Sequence, residues 1–272
     1  MNSKVIQAFQ DIIYSYYKQH YRDFPFRKNM NPYKVLVSEI MLQQTQTSRV
    51  SEKYVEFLNI FPDIKALSES SVDEVLKTWQ GLGYNRRAIA LKKIADIVMK
   101  EHEGKIPKSI EILKSFPQIG HNTACSIYTF AYNKPSYFIE TNIRNVYIYF
   151  FFPKKQSIKD NDILLIVKKT VDEKNPREWY YALMDYGVML KKTLPELNKR
   201  SAHYRKQKPF KGSNRQLRGK ILKLLIKKPE LKLMDLQNEL KIEQKKLNKI
   251  LKQLSKEGFI YIKNDRVILN QE

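Results

Sequence analysis

The sequence predicts an all-α protein, a large helical domain followed by a small winged helix-turn-helix. Three observations carry this. Apolar residues recur at three- and four-residue spacing from residue 4 to residue 190. Short joints bearing Pro or Gly separate the periodic runs. No convincing run of strands appears before residue 258, where a hairpin pattern begins.

Residues 4–19 set the helical pattern, with Val5, Phe9, Ile12, Ile13 and Tyr16 at the required spacing. The same reading predicts helices over 33–46, 49–60, 72–78, 86–101, 109–115, 121–132, 141–151, 160–172 and 177–190. The joints are FPD, GLGYN, GKIPK, FPQIG and NKPS. No repeat period is evident. Composition shifts near residue 199, where NKRSAHYRKQKPFKGSN is polar, basic and punctuated by Pro209 and Gly212. It reads as a solvated tether or as an ordered binding strap. Beyond it, QLRGKILKLLIKK, LKLMDLQNEL and EQKKLNKILKQLSKEG read as three helices, the last stopping at Gly258. FIYIKNDRVILN then alternates about Asn264-Asp265, as a hairpin does. The expected domains are residues 1–200, a basic linker over 201–212, and a winged helix over 213–272.

The chain of 272 residues is 42% hydrophobic, enough for a real core, and its net charge is +22. Such a charge points to a polyanion, nucleic acid first, although a Lys-rich surface is the plain alternative. Residues 201–272 hold 19 basic and 7 acidic side chains, more than half of that net charge. In the third of the C-terminal helices, Lys245, Lys246, Lys249, Lys252 and Lys256 accompany an apolar stripe of Leu247, Ile250, Leu251 and Leu254. Lysines so placed suit phosphates, or form the solvated face of a protein-binding module. Cys125 is the only cysteine, which excludes an internal disulfide and any multi-cysteine zinc or iron–sulfur site; no metal or cofactor is expected. No run of 18 apolar residues exists, and the N-terminus lacks the apolar block of a signal peptide. A cytoplasmic, nucleoid-associated monomer with no membrane partner is the expectation.

Two glutamates and one turn concentrate the chemistry. In NPYKVLVSEIMLQQTQTSRV, a helix places Val35, Glu39, Leu42 and Gln46 on one stripe, so Glu39 sits among apolar neighbours. Desolvation would let it hold a proton near neutral pH. Alternatively it is a buried glutamate neutralised by Arg22 or Arg27. In FIETNIRNV, Glu140 precedes a helix; it is either a start-of-helix acid favoured by the dipole or half of a catalytic pair. In FPQIGHNTACSIYTFA, a short hairpin closes on Gly120 and a helix opens at His121, Asn122 and Thr123, presenting backbone N–H groups to an anion.

That last segment resembles the helix-hairpin-helix of DNA repair glycosylases through Phe116, Pro117, Ile119, Gly120, Thr123 and Ala124, with Gln118 where the family's first glycine stands. Together with SEIMLQQTQ, RDFPFR, LKTWQGLGYNRRA and ALMDYGVMLKK, it resembles the MutY-like adenine glycosylases and endonuclease III relatives of the HhH-GPD superfamily, over roughly residues 5 to 192. The resemblance implies a two-lobed helical glycosylase domain with its active site in the cleft between the lobes. It implies that Glu39 protonates the flipped base and handles the attacking water. It implies that Glu140, in place of the family's aspartate, stabilises the sugar cation, and that Asn142 orients that acid or contacts the flipped nucleotide. Gln43, Gln44, Thr45 and Gln46 would enter the duplex and Tyr84 would wedge into the stack. Arg86, Arg87, Gln118, Gly120, His121 and Thr123 are expected at the DNA, as are Lys245, Lys246 and Lys249. Asn122 stands where bifunctional relatives carry a nucleophilic lysine, so water is the expected nucleophile and efficient strand cleavage is not expected. The family's four cluster cysteines and its 8-oxoguanine-reading domain have no counterpart.

The expected function is a monofunctional glycosylase acting on double-stranded DNA with a mismatched or damaged base, adenine before thymine or uracil. An enzyme for another modified base, and a catalytically weak DNA-binding accessory or regulator, are the alternatives.

Overall fold

A computed structural model describes residues 2–206 and 209–270. The helices run in chain order as α1 (Ser3–His20), α2 (Pro32–Leu42), α3 (Thr47–Ile60), α4 (Ile64–Glu69), α5 (Val72–Thr78), α6 (Arg86–Glu101), α7 (Ile110–Ser115), α8 (His121–Tyr132), α9 (Thr141–Phe151), α10 (Asp160–Thr170) and α11 (Pro176–Thr193). Then follow α12 (Asn214–Lys227), β1 (Glu230–Lys232), α13 (Leu233–Leu240), α14 (Gln244–Lys256), β2 (Ile260–Lys263) and β3 (Arg266–Leu269). Local chemistry starts many of these helices. Asn2, Asp63, Ser71, Ser109, Glu140 and Ser213 each accept a backbone N–H of the first turn, and Ser71 with Glu74 closes a full capping box.

The chain forms two compact units, Met1–Glu39 with Pro107–Lys206, and Ile40–Ile106 with Gln207–Glu272. In the first, α9 packs along α11, and α1 lies on α11. Phe9 meets Tyr147 and Trp179 edge-on, and Phe138 stacks on Tyr180 with centroids 4.1 Å apart. At Gly187 the backbones of α11 and α9 come close: a Cβ there would lie 2.3 Å from the Asn142 carbonyl oxygen. The segment after α11 is tied down by the Ile158–Ser201 bridge and by Arg200, whose guanidinium donates to the carbonyls of Phe152 and Lys155. Residues 207 and 208 of the expected linker lie outside the described residues.

In the second unit, α6 packs on α4 and α5, and α12 also contacts α5. The C-terminal hairpin turns on Asn264 and Asp265, both left-handed, at φ 47° and 56°. That is the turn the strand twist requires.

Four expectations need correction. The helix expected over 33–46 ends at Leu42, so Gln46 leaves the stripe shared with Val35 and Glu39; the four-residue polar run forms a turn with Gln44 at φ 56°. Strand structure begins before residue 258, because β1 adds to the hairpin in the order β1-β3-β2. A short helix, α4, follows the FPD joint where none was expected. Arg87, expected at the DNA, is 3% exposed and its guanidinium is taken up by carbonyls.

Gly187→Ala is expected to lower stability by about 2 kcal/mol, because the helix pair cannot accept a methyl group there without moving backbone. Gly219→Ala, in α12 with open space around its Cβ, is expected to raise stability by ~0.5–1 kcal/mol. Denaturant unfolding of both variants checks the pair.

Candidate functional site

Glu39 lies in the last turn of α2, flanked by buried Val35, Leu36, Val37, Ser38 and Ile40. Burial pushes its carboxyl up to about 7, and the nearby Glu140 charge adds to the rise. The Ser126 hydroxyl bonds the carboxyl and opposes the shift, as does the more distant charge of Arg27. Ser126 is buried in α8 and also reaches the Thr123 carbonyl at 3.0 Å. One hydroxyl proton serves one of these acceptors at a time. With Glu39 protonated, the acid donates to Ser126 and Ser126 to Thr123; with Glu39 ionised, Ser126 turns to the carboxylate.

Neutralisation by Arg22 or Arg27 does not occur. Both guanidinium groups are held by Asp185, which is 2% exposed on α11. Arg27 makes a two-pronged contact with it, both bonds 2.9 Å, and Arg22 approaches at 2.6 Å through Nε. Arg27 also lies over the Tyr181 ring at 4.4 Å. Burial, then the charge on Glu39, raises the Tyr181 phenol.

Glu140 caps α9. Its carboxylate accepts the Ile143 N–H at 2.9 Å and the Asn142 amide at 3.1 Å. Burial raises its pKa; the N–H groups of Asn142 and Ile143 and the charge of Arg144 work against that rise. Arg144 itself is paired with Asp160. The two acids therefore have different surroundings. Glu39 has one hydroxyl and apolar walls, which suit a proton; Glu140 has an array of donors, which suits an anion. Asn122 is exposed, and its amide donates to the Ile139 carbonyl at 2.8 Å and accepts the Ile139 N–H at 3.4 Å. It thus fixes the backbone that leads into Glu140. Asn142 is fixed from behind by the α9–α11 approach at Gly187.

The hairpin between α7 and α8 keeps a left-handed turn at Gln118, φ 62°, where glycine would fit without strain. Gly120 precedes α8, no side chain caps that helix, and a Cβ on Gly120 would meet nothing within 4 Å. His121 is exposed on the first turn and bonds the Tyr137 carbonyl, with Thr123 two residues further on.

The remaining expected residues lie in the second unit. Gln44 and Gln46 are exposed, Gln43 and Thr45 partly so. Tyr84, at φ 46°, follows two left-handed glycines, Gly81 and Gly83. Arg87 joins the two turns: it donates to the carbonyls of Ile40, Met41 and Gln43, to the Thr45 hydroxyl, and to the carbonyls of Leu82 and Gly83. Arg86 is exposed and faces Glu257 at 3.8 Å. Lys245, Lys246 and Lys249 are exposed on α14. Ser126, Tyr181 and Asp185 were missed as parts of the site. Only Ser126 carried a signal, four residues after Asn122 on the same helix. Among the described residues no group of three His, Cys, Asp or Glu side chains is placed to hold a metal ion, and no helix is long and apolar enough to cross a membrane.

Residues 37–169 match the HhH-GPD superfamily of base excision DNA repair proteins. The adenine DNA glycosylase of Buchnera aphidicola subsp. Baizongia pistaciae is 34% identical over 186 residues, 67% of this chain and 52% of that protein. The adenine DNA glycosylase of Mycolicibacterium smegmatis is 29% identical over 230 residues, 78% of each chain. The chain spans about half the length of the first of these relatives. In fold it is similar to a thermostable thymine-DNA glycosylase, with TM-score 0.62 and 23% identity over 68% of this chain and 87% of that one. It is also similar to endonuclease III in a trapped covalent intermediate with DNA, with TM-score 0.54 and 16% identity over 77% and 91%.

The charge states are open to direct titration. Carboxyl NMR of Glu39 is expected to report a midpoint near 7, moving up in Ser126→Ala and down in Glu140→Gln. The linked stability has a definite sign. A carboxyl raised on folding destabilises the ionised fold, a penalty present above the folded pKa and gone below the unfolded one. Glu39→Gln is therefore expected to be more stable than wild type at pH 8, by about 3 kcal/mol, and to lose that advantage by about pH 4.5.

Proposed function

Residues 37–169 are an HhH-GPD domain of the base excision DNA repair superfamily, and from that premise we propose that the chain is a monofunctional DNA glycosylase. Its proposed substrate is a mismatched base, adenine first, in double-stranded DNA, and its product an abasic site. The observation that carries the reading is the acid pair of the first unit: Glu39 pushed to about 7 and within electrostatic reach of Glu140. Glu39 donates its proton to a ring nitrogen of the extruded base. The C1′–N bond then breaks, its electron pair leaving with the base. Positive charge builds on the sugar, and Glu140 stabilises it as a fixed anion already oriented by the start of α9. Water adds to C1′ and returns a proton to Glu39. Asn122 is an amide engaged with Ile139 and offers no amine for attack on the sugar, so the reaction stops at hydrolysis.

Around this chemistry, the α8 start at Gly120, His121 and Thr123 receives a phosphate, for which the bare Gly120 leaves room. Gln43–Gln46 and Tyr84 act on the base stack, rigidified together by Arg87. The exposed lysines of α14 add phosphate contacts. Adenine is preferred among the candidate bases because the relatives named above are adenine glycosylases.

A panel of duplexes, each with one mismatch or lesion, tests the activity. Alkali-labile breaks are expected in an adenine mismatch, without breaks before alkali. Glu39→Gln and Glu140→Gln are each expected to lower base release by at least about 100-fold while keeping duplex affinity. Normal turnover by Glu140→Gln would remove its role, and silence of the wild type across the panel with binding intact would leave a DNA-binding accessory. For the winged helix, Lys245→Ala, Lys246→Ala and Lys249→Ala combined are expected to lower the slope of log affinity against log salt by roughly 3. An unchanged slope would assign that face to a protein partner.

A further inference from the structure

The corner at Tyr84 is held from a direction that the proposed chemistry does not use. Tyr84 is a non-glycine residue at φ 46°. Such a conformation costs about 1 kcal/mol or more and persists only where the surroundings over-determine it. From within its own lobe, Arg87 lies over its ring at 5.5 Å, and the Trp79 indole donates to the Gly83 carbonyl beside it. The other restraint comes from the C-terminal segment. Arg215, in the first turn of α12, donates to the Tyr84 hydroxyl at 2.7 Å and lies over the same ring at 5.8 Å. The ring thus has two guanidinium groups against it, and its only polar atom is engaged by one of them.

A second contact keeps that brace in place. Glu257, at the end of α14, receives Arg218 of α12 and also faces Arg86, two residues after Tyr84. With α12 packed on α5, the C-terminal segment meets this lobe at the turn itself as well as on its helices. An aromatic side chain that enters a base stack must resist being pushed back as the stack recloses. A hydrogen bond from a charged donor, anchored on a packed helix, supplies that resistance.

We propose that Arg215 is a positioning residue for Tyr84, so that the C-terminal winged helix is a working part of base extrusion as well as a source of phosphate contacts. This rests on the reading of Tyr84 as the residue that wedges into DNA. It assigns to the C-terminal segment a role in the extrusion step that Lys245, Lys246 and Lys249 do not have.

The test uses the full chain and a duplex carrying 2-aminopurine at the target position, whose fluorescence rises on unstacking, followed by stopped flow. Four variants are compared with wild type: Arg215→Ala, Arg215→Lys, Tyr84→Phe, and Arg215→Ala with Tyr84→Phe. Tyr84→Phe removes one oxygen and leaves the fold intact. Arg215→Ala and Tyr84→Phe are each expected to slow unstacking about ten-fold, the size of one charge-assisted hydrogen bond, with duplex affinity changed by no more than about two-fold. The double variant is expected to be no slower than either single one, and Arg215→Lys to recover part of the rate through its own N–H donors. Additive effects, an unchanged unstacking rate with weakened binding, or faster unstacking in Arg215→Ala would each overturn the proposal. The last would mark the contact as a restraint on the wedge. A wild-type chain that unstacks no base would overturn the glycosylase reading and this proposal together.

Discussion

The grip of Asp185 on two arginines decides what Glu39 is. Arg22 and Arg27 are the arginines in the first unit nearest in sequence to Glu39, and either would hold it as an ordinary ionised glutamate if it reached the carboxyl. Asp185 is buried and receives both. Its own charge is met by two guanidinium groups, which keeps both arginines at Asp185. Glu39 is left with apolar neighbours, one serine hydroxyl and the like charge of Glu140. Those are the conditions under which a carboxyl keeps a proton near neutral pH. The same helix that carries Asp185 carries Gly187, whose missing Cβ lets α9 come in and set the Glu140 and Asn142 end. Two positions of α11, two residues apart, therefore set the charge of one acid and the place of the other.

The second unit is organised by a comparable device. Arg87 is buried without a carboxylate partner, and desolvation lowers its pKa to about 10. It stays cationic at neutral pH and is satisfied by carbonyl and hydroxyl oxygens from two turns. Those turns are the glutamine run and the Gly83-Tyr84 corner, each with a residue held left-handed. An arginine that reads in the sequence as one more basic residue is thus the internal support of the elements proposed to open DNA. The lysines of α14 and Arg86, by contrast, lie at the surface.

How much of this the sequence disclosed depended on distance along the chain. Helices with strong apolar periodicity and their own caps, such as α1, α5 and α9, were legible because the causes lie within a few residues. The hairpin at Asn264-Asp265 was legible for the same reason. The end of α2 was not: Gln and Thr are compatible with a helix, and the stop at Leu42 accompanies Arg87 taking the carbonyls of Ile40, Met41 and Gln43. The strand β1 is three residues long and exists by pairing with β3, so no local pattern announces it. The choice between an arginine-neutralised and a protonated Glu39 stayed open in the sequence because the deciding residue, Asp185, lies far along the chain. Gln118 is the converse case. It departs from glycine, yet the turn keeps its left-handed geometry at that residue, so the surrounding hairpin overrides the local preference.

The central claim is that Glu140 serves as a fixed anion for positive charge on a deoxyribose. One measurement addresses it without depending on which base is removed. Duplex affinity is compared for a pyrrolidine abasic analogue, cationic at neutral pH, and its neutral tetrahydrofuran counterpart, in wild type and in Glu140→Gln. The account expects wild type to favour the cation by about ten-fold or more, and Glu140→Gln to lose that preference while binding the neutral analogue unchanged. An equal preference for the cation in both proteins would contradict it.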